Sequence, residues 1–150
     1  MATVTSGVYP VYKNQFEINT KGRTGETGGT FATIADMESF SVSFDDNVEE
    51  WTPMTSEGWV RRLKTGKGVT ISLAGKRNIG DSGNDYIASL AWKSGQECNS
   101  ELKWNFPNGD SVLIPCVINV TSAGGDSTGV EPLECECMSD GQPTFTKASA

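Results

Sequence analysis

The side chains available for chemistry are nineteen acids, four cysteines and a supply of hydroxyls, because the chain contains no histidine. That absence removes Ser-His-Asp and Cys-His nucleophiles, imidazole metal ligands and the usual near-neutral proton shuttle. Carboxylate chemistry stays open, but no two acids are set apart by spacing as a general acid and its partner. Asp45, Asp46, Glu49 and Glu50 would attract a cation, yet the D-x-[DN]-x-[DN]-G spacing of a calcium loop is missing, and they read as a solvated acidic face. Cys135-Glu136-Cys137 is a C-x-C motif, and no C-x-x-C occurs. On a strand, positions i and i+2 share a face, so Cys135 and Cys137 read as apolar fillers; with Cys98 and Cys116 they match no usual zinc spacing. Residues 20–30 hold four glycines and no apolar side chain, without either phosphate-cradle spacing, and read as a flexible Gly/Thr loop. No catalytic residue, cofactor site or metal ligand is assigned.

The frame around these residues is acidic and ordinary in size. The chain has 150 residues, a formal net charge of −7 and 36% hydrophobic residues, which suits one domain with a real core. It lacks the basic footprint of a nucleic-acid binder, and its charge repels polyanions. No apolar run approaches the ~20 residues of a membrane-spanning helix. Residues 1–7 carry neither a basic n-region nor an apolar h-region, so no signal peptide is expected, and synthesis in a cytoplasm with reduced thiols follows.

Period-2 patterning dominates. Phe40, Val42 and Phe44 alternate with Ser39, Ser41 and Ser43; Val69, Ile71 and Leu73 alternate with Thr70, Ser72 and Ala74. Leu102, Trp104 and Phe106 precede an Asn108-Gly109 hairpin turn, and Leu133, Cys135 and Cys137 alternate with Glu134 and Glu136. Residues 112–120 are apolar on both faces and predict a central strand, with a bulge or a free side at Pro115. Phe16 to Asn19 predicts a short strand behind an extended arm over residues 1–15, and residues 123–129 a glycine-rich turn. One helix is predicted over 84–93: Ser82-Gly83-Asn84-Asp85 fits a capping box, Tyr86, Ile87, Leu90 and Ala91 form the apolar stripe, and Gly95 closes it.

Charge is segregated along the chain. Residues 36–57 hold seven acids and no base, and residues 58–78 hold six bases and no acid. Two readings fit equally: a hairpin with ion pairs across its arms, or an interface with oppositely charged rims. The long inter-strand connection 45–59 carries Trp51, Pro53, Met54 and Trp59, a composition suited to docking.

A specific pattern spans residues 33–146. It comprises Ile34-Ala35-Asp36-Met37-Glu38-Ser39-Phe40, Val48-Glu49-Glu50-Trp51-Thr52-Pro53-Met54 and Glu57-Gly58-Trp59-Val60-Arg61-Arg62-Leu63. It continues through Gly75-Lys76-Arg77 and Gly80-Asp81-Ser82-Gly83-Asn84-Asp85-Tyr86 to Gly124-Gly125-Asp126-Ser127-Thr128 and Met138-Ser139-Asp140-Gly141-Gln142-Pro143-Thr144. In this order the segments resemble the major tail tube proteins of long-tailed bacteriophages.

The resemblance implies a mainly β, single-domain chain of two packed antiparallel sheets, sandwich- or barrel-like, with one flanking helix. It implies hexameric rings stacked head to tail into a hollow tube, lined by strands from six subunits, through which DNA leaves without specific binding. The expected partners are other copies of the chain, a tape measure protein, a tail tip or baseplate initiator and a tail terminator, with no membrane. The expected place is the tail of a virion, made and assembled in the host cytoplasm. The expected lumen-facing residues are Ser39, Ser41, Ser43, Thr70, Ser72, Glu134 and Glu136. The expected inter-ring or inter-subunit residues are Asp45, Asp46, Glu49, Glu50, Trp51, Met54, Trp59, Arg61, Arg62 and Lys64. The alternative is a monomeric β-sandwich binding module, for carbohydrate, with Trp51, Trp59 or Trp104 as a sugar platform.

Overall fold

A computed structural model describes residues 7–24 and 28–148. Residues 1–6 of the expected arm and residues 25–27 of the expected Gly/Thr loop lie outside the described residues. The strands are β1 (Gln15–Asn19), β2 (Phe31–Thr33), β3 (Met37–Phe44), β4 (Asn47–Trp51), β5 (Arg61–Gly66), β6 (Val69–Lys76), β7 (Asn99–Asn105), β8 (Ser111–Ser122), β9 (Pro132–Ser139) and β10 (Thr144–Thr146). The helix α1 (Ser82–Ser89) lies between β6 and β7. The chain is mainly β, with two antiparallel sheets. One has eight strands in the order β2-β1-β7-β8-β9-β6-β3, with β10 also on β8; the other is the β4-β5 pair.

The large sheet curls until its ends face each other. Phe16 on β1 and Phe40 on β3 are separated by four strands in the sheet order, yet their rings meet edge to face at 4.9 Å, and Trp104 stacks on Phe16 at 5.7 Å. The bend runs through β8. Its first half pairs with β7 and its second half with β9, so one long strand serves both layers. Pro115 sits where β9 ends and β10 begins. Its carbonyl accepts from the Asp140 amide at 2.8 Å, and its missing N–H faces that same gap, which is the free side the proline requires. The enclosed core holds Ile18, Ile71, Leu73, Leu102, Ile118 and Leu133, with Cys116, Cys135 and Cys137 as small fillers.

The helix corks one end of this barrel. It starts at Ser82, with Asp81 in extended backbone as its cap accepting from the Asn84 amide at 3.0 Å; the expected cap, Ser82, is already helical. It ends at Ser89 and tightens into a 3-10 turn, Leu90–Trp92, so against the predicted span 84–93 the helix starts two residues earlier and its α-helical part ends four residues earlier. Ile87 and Leu90 enter the core, whereas Ala91 from the expected stripe is exposed, because the tighter turn rotates it outwards. Gly83 lets the helix approach β2: a Cβ there would lie 2.7 Å from the Thr33 carbonyl.

Fully buried Asn84 ties the cork to three segments. Its amide donates to the carbonyls of Ala35 (3.1 Å) and Lys76 (3.0 Å), and its oxygen accepts from the Arg77 guanidinium (2.9 Å) and the Asn78 amide (3.0 Å). Arg77 also holds Asp85 at 2.7 Å. The described part of the Gly/Thr segment before position 25 is tied as well. Arg23 bridges Asp140 (2.8 Å) and the Cys116 carbonyl (2.9 Å), and the Thr24 amide donates to buried Glu101 at 3.2 Å.

Replacing Asn84 by alanine strands several buried polar groups, and we expect a loss of about 2–3 kcal/mol, read as a lower urea midpoint at unchanged m-value. The Asp85 carboxyl is held below its ordinary value, first by the Arg77 hydrogen bond and then by the Gly80 amide. A depressed folded-state value contributes stability above the unfolded value and loses it as pH falls through the folded one. Asp85→Asn should therefore be less stable than the parent at neutral pH, and the gap should close in acid below the ordinary value of 3.8.

Candidate assembly surfaces

Two surfaces stand out, and the first is the outer face of β3, β6 and β9. Antiparallel register sets its side chains in rows: Ser39, Ala74 and Glu134; then Ser41, Ser72 and Glu136; then Ser43, Thr70 and Met138. The alternate residues Phe40, Val42, Ile71, Leu73, Cys135 and Cys137 point to the core. All seven expected lumen residues thus share one face, outside the core. The second row continues to Asn119 on β8. The face carries hydroxyls and carboxylates, with Lys76 at its end drawn to Glu38 at 3.2 Å.

This half of the sheet has two open edges. Beyond β3 no strand follows, and residues 118–122 of β8 run past the end of β7 with no strand on that side among the described residues. Open edges of this length are sites for pairing with another chain.

The second surface is the β4-β5 ribbon. The expected long connection between β3 and β6 exists, but it is folded: residues 47–51 form a strand against 61–66. The hairpin reading of the charge blocks holds here. Glu50 pairs with Arg62 at 2.7 Å and Asp46 with Lys64 at 2.8 Å along one face, while Arg61 lies over the Trp51 ring at 6.0 Å on the other. Exposed pairs of this kind contribute about 0–1 kcal/mol each. Every ribbon residue except Gly66 is exposed, on both faces. The apex folds as the 3-10 turn Met54–Ser56, followed by Glu57 in left-handed backbone, and the Ser56 hydroxyl lies within reach of the carbonyls of Pro53 (2.8 Å) and Trp59 (2.7 Å), either of which accepts its one proton. The built apex presents Met54 at 99% and Trp59 at 80% exposure. A two-stranded ribbon without a core is marginal in water, and this one carries large exposed apolar groups on its tip.

Other candidates separate from these surfaces. Trp104 is no sugar platform: Phe16 covers its ring, Phe40 and Phe106 meet it edge-on, and its Nε1 donates to Asn14 at 3.0 Å. The four cysteines are free and buried. The Cys137 thiol is pushed well above its ordinary value by hydrogen bonding with Cys116 and Cys135 and by burial, so it stays protonated. Among the described residues no group of three or more Cys, Asp or Glu is placed to hold a metal ion, and no helix is long and apolar enough to cross a membrane. The open edge of β8 and the folding of 45–59 into a ribbon escape sequence patterning, although the opposed charge blocks did signal the latter.

No protein-family model matches the sequence, and no curated protein matches it. Solved structures do match. The chain is similar to the tail of an empty GTA particle refined with C6 symmetry, at 21% identity and a TM-score of 0.72, over 93% of this chain and 100% of that one. It is similar to a chain in the virion of a native gene transfer agent particle, at 20% identity and a TM-score of 0.70, with the same coverage. It also resembles the tube-terminating cap of an anti-feeding prophage, at 14% identity and a TM-score of 0.59, over 99% of this chain and 97% of that one. The fold is of the phage tail tube type.

Because the ribbon shares no core with the barrel, excising it should leave the barrel intact. Asp45 and Gly68 already meet, amide to carbonyl, at 2.8 Å. Joining Asp45 to Gly68 through Asn-Gly should leave cooperative unfolding within about 1 kcal/mol of the parent in urea melts. Loss of the cooperative transition would show instead that the ribbon belongs to the folding unit.

Proposed function

We propose that this chain is a structural, non-enzymatic subunit of a virion tail tube. Six copies close into a ring, rings stack head to tail, and the hollow tube conducts DNA. The observation that carries this reading is the four-strand half-sheet, residues 118–122 of β8 with β9, β6 and β3. It is apolar towards the core, polar outwards and open at both edges. Pairing β3 of one copy with the β8 overhang of the next satisfies both edges, and repetition about an axis closes a barrel with no edge left.

The polar face then lines the lumen. Duplex DNA carries one charge per ~1.7 Å and binds Lys and Arg through counterion release. A wall of serine, threonine, Glu134 and Glu136, whose cation Lys76 is drawn to Glu38, offers little such contact, so DNA slides. The ribbon, with Asp45, Asp46, Glu49, Glu50, Trp51, Met54, Trp59, Arg61, Arg62 and Lys64, reaches another copy and completes its burial there. The C6 symmetry belongs to the similar gene transfer agent tail and is carried to this chain as part of the proposal. A tape measure protein, a tip or baseplate initiator and a terminator complete the tail, assembled in the host cytoplasm.

Negative-stain electron microscopy with mass photometry on the concentrated chain, alone and with tail initiator added, should show six-fold rings and hollow tubes. Arg61→Glu combined with Arg62→Glu should abolish tube growth while stability stays within about 1 kcal/mol of the parent. A parent chain that stays monomeric under both conditions would overturn the reading, and normal tubes from the double variant would remove the ribbon from it.

A further inference from the structure

The two ends of the barrel differ. One is corked by α1 and the 3-10 turn that follows it, through Ile87 and Leu90. The other is open: a groove of about 810 Å³ lies between the first residues of β6 and the end of β7, lined by Val42, Phe44, Val69, Trp104, Phe106 and Phe145. Two of these are large and mostly uncovered, Phe44 at 71% and Phe145 at 54% exposure. An apolar mouth of this kind marks a binding surface. Asp46 and Lys64 on its rim neutralise each other at 2.8 Å, whereas Lys67, also on the rim, forms no ion pair among the described residues.

We propose that this mouth is the seat for the ribbon tip of a second copy of the chain. The proposal rests on the self-assembly reading above and names the partner surface of the ribbon. The tip supplies what the mouth lacks: Met54 and Trp59 as apolar groups, and Glu57, which forms no ion pair among the described residues, as a carboxylate for Lys67. The described arm also exposes Val8, Val11 and Tyr12, but it carries Lys13 and brings a like charge to Lys67.

A chain cannot fill its own mouth. The ribbon is rooted on the rim at Asp46 and Lys64, and the five residues of β4 carry the tip about 17 Å away. The contact is therefore between copies and heterologous, tip to mouth. Root and mouth lie at the same end of the barrel, and the tip-to-mouth contact repeats from copy to copy.

The test uses the full chain. Met54→Cys and Phe145→Cys placed together and oxidised after concentration should give a disulfide ladder of oligomers on non-reducing gels, absent from either single variant; the native thiols are buried. Trp59→Asp and Phe145→Asp should each assemble roughly tenfold less readily, and their mixture should recover dimers, since one intact tip and one intact mouth remain. Glu57→Lys should rescue Lys67→Glu. No ladder, together with parent-like assembly of Phe145→Asp and Lys67→Glu, would overturn the seat while leaving the tube reading standing. A parent chain that never associates, concentrated or with tail initiator, would overturn both.

Discussion

A strand sends successive side chains to opposite faces, and this protein depends on holding that alternation in one register across β3, β6 and β9. Slipping any of the three by one residue would move phenylalanine, leucine and cysteine into water and serine and glutamate into the core. The register is pinned at one end of β3, where the pairing shifts between Met37 and Ser39. The bulged backbone there passes so close to β6 that a side chain at Gly75 would run into the Asp36 carbonyl. At the other end Asp45 and Gly68 close the pair through a backbone hydrogen bond of 2.8 Å. Between these anchors each row is fixed, and with it the chemistry of the outer face.

The difference between the barrel's ends follows from the same economy of parts. Among the described residues one short α-helix covers the core, and it sits at the end where β6 finishes. Asn84 makes that closure specific, because its hydrogen bonds join the helix to the segment before β3, the end of β6 and the following turn. Among the described residues nothing equivalent lies at the far end, where aromatic rings from β3, β7 and β10 remain in view. A fold with one closed and one open end has a direction, and direction is what an open polymer of identical parts needs.

The half-buried strands were plain in the sequence because burial on one face alone imprints alternation. That holds for residues 39–44, 69–75 and 133–137, and so the polar face was legible residue by residue. β4 was not, since both of its faces meet solvent and no apolar period marks it; only the opposed charge blocks hinted at its partner. β2 and β10, at three residues each, are too short for a period. The helix start was displaced because Asp81 and Ser82 are adjacent residues that both cap well, and local pattern cannot choose between them. The open mouth is formed by residues a hundred positions apart, such as Phe44 and Phe145, and no local signal carries it.

The ribbon's lack of a core has a kinetic consequence. A two-stranded segment held by exposed ion pairs has low local stability, so part of the ordering entropy of residues 47–66 is met only when another surface receives it. In the tube assembly proposed above, each association among the first few copies bears this cost with few contacts in return. A copy arriving at an existing end finds its receiving surfaces already ordered. In the proposed assembly growth is then easy and starting is hard, a nucleation barrier that would let the free subunit accumulate and leave the choice of where and when to polymerise to a template.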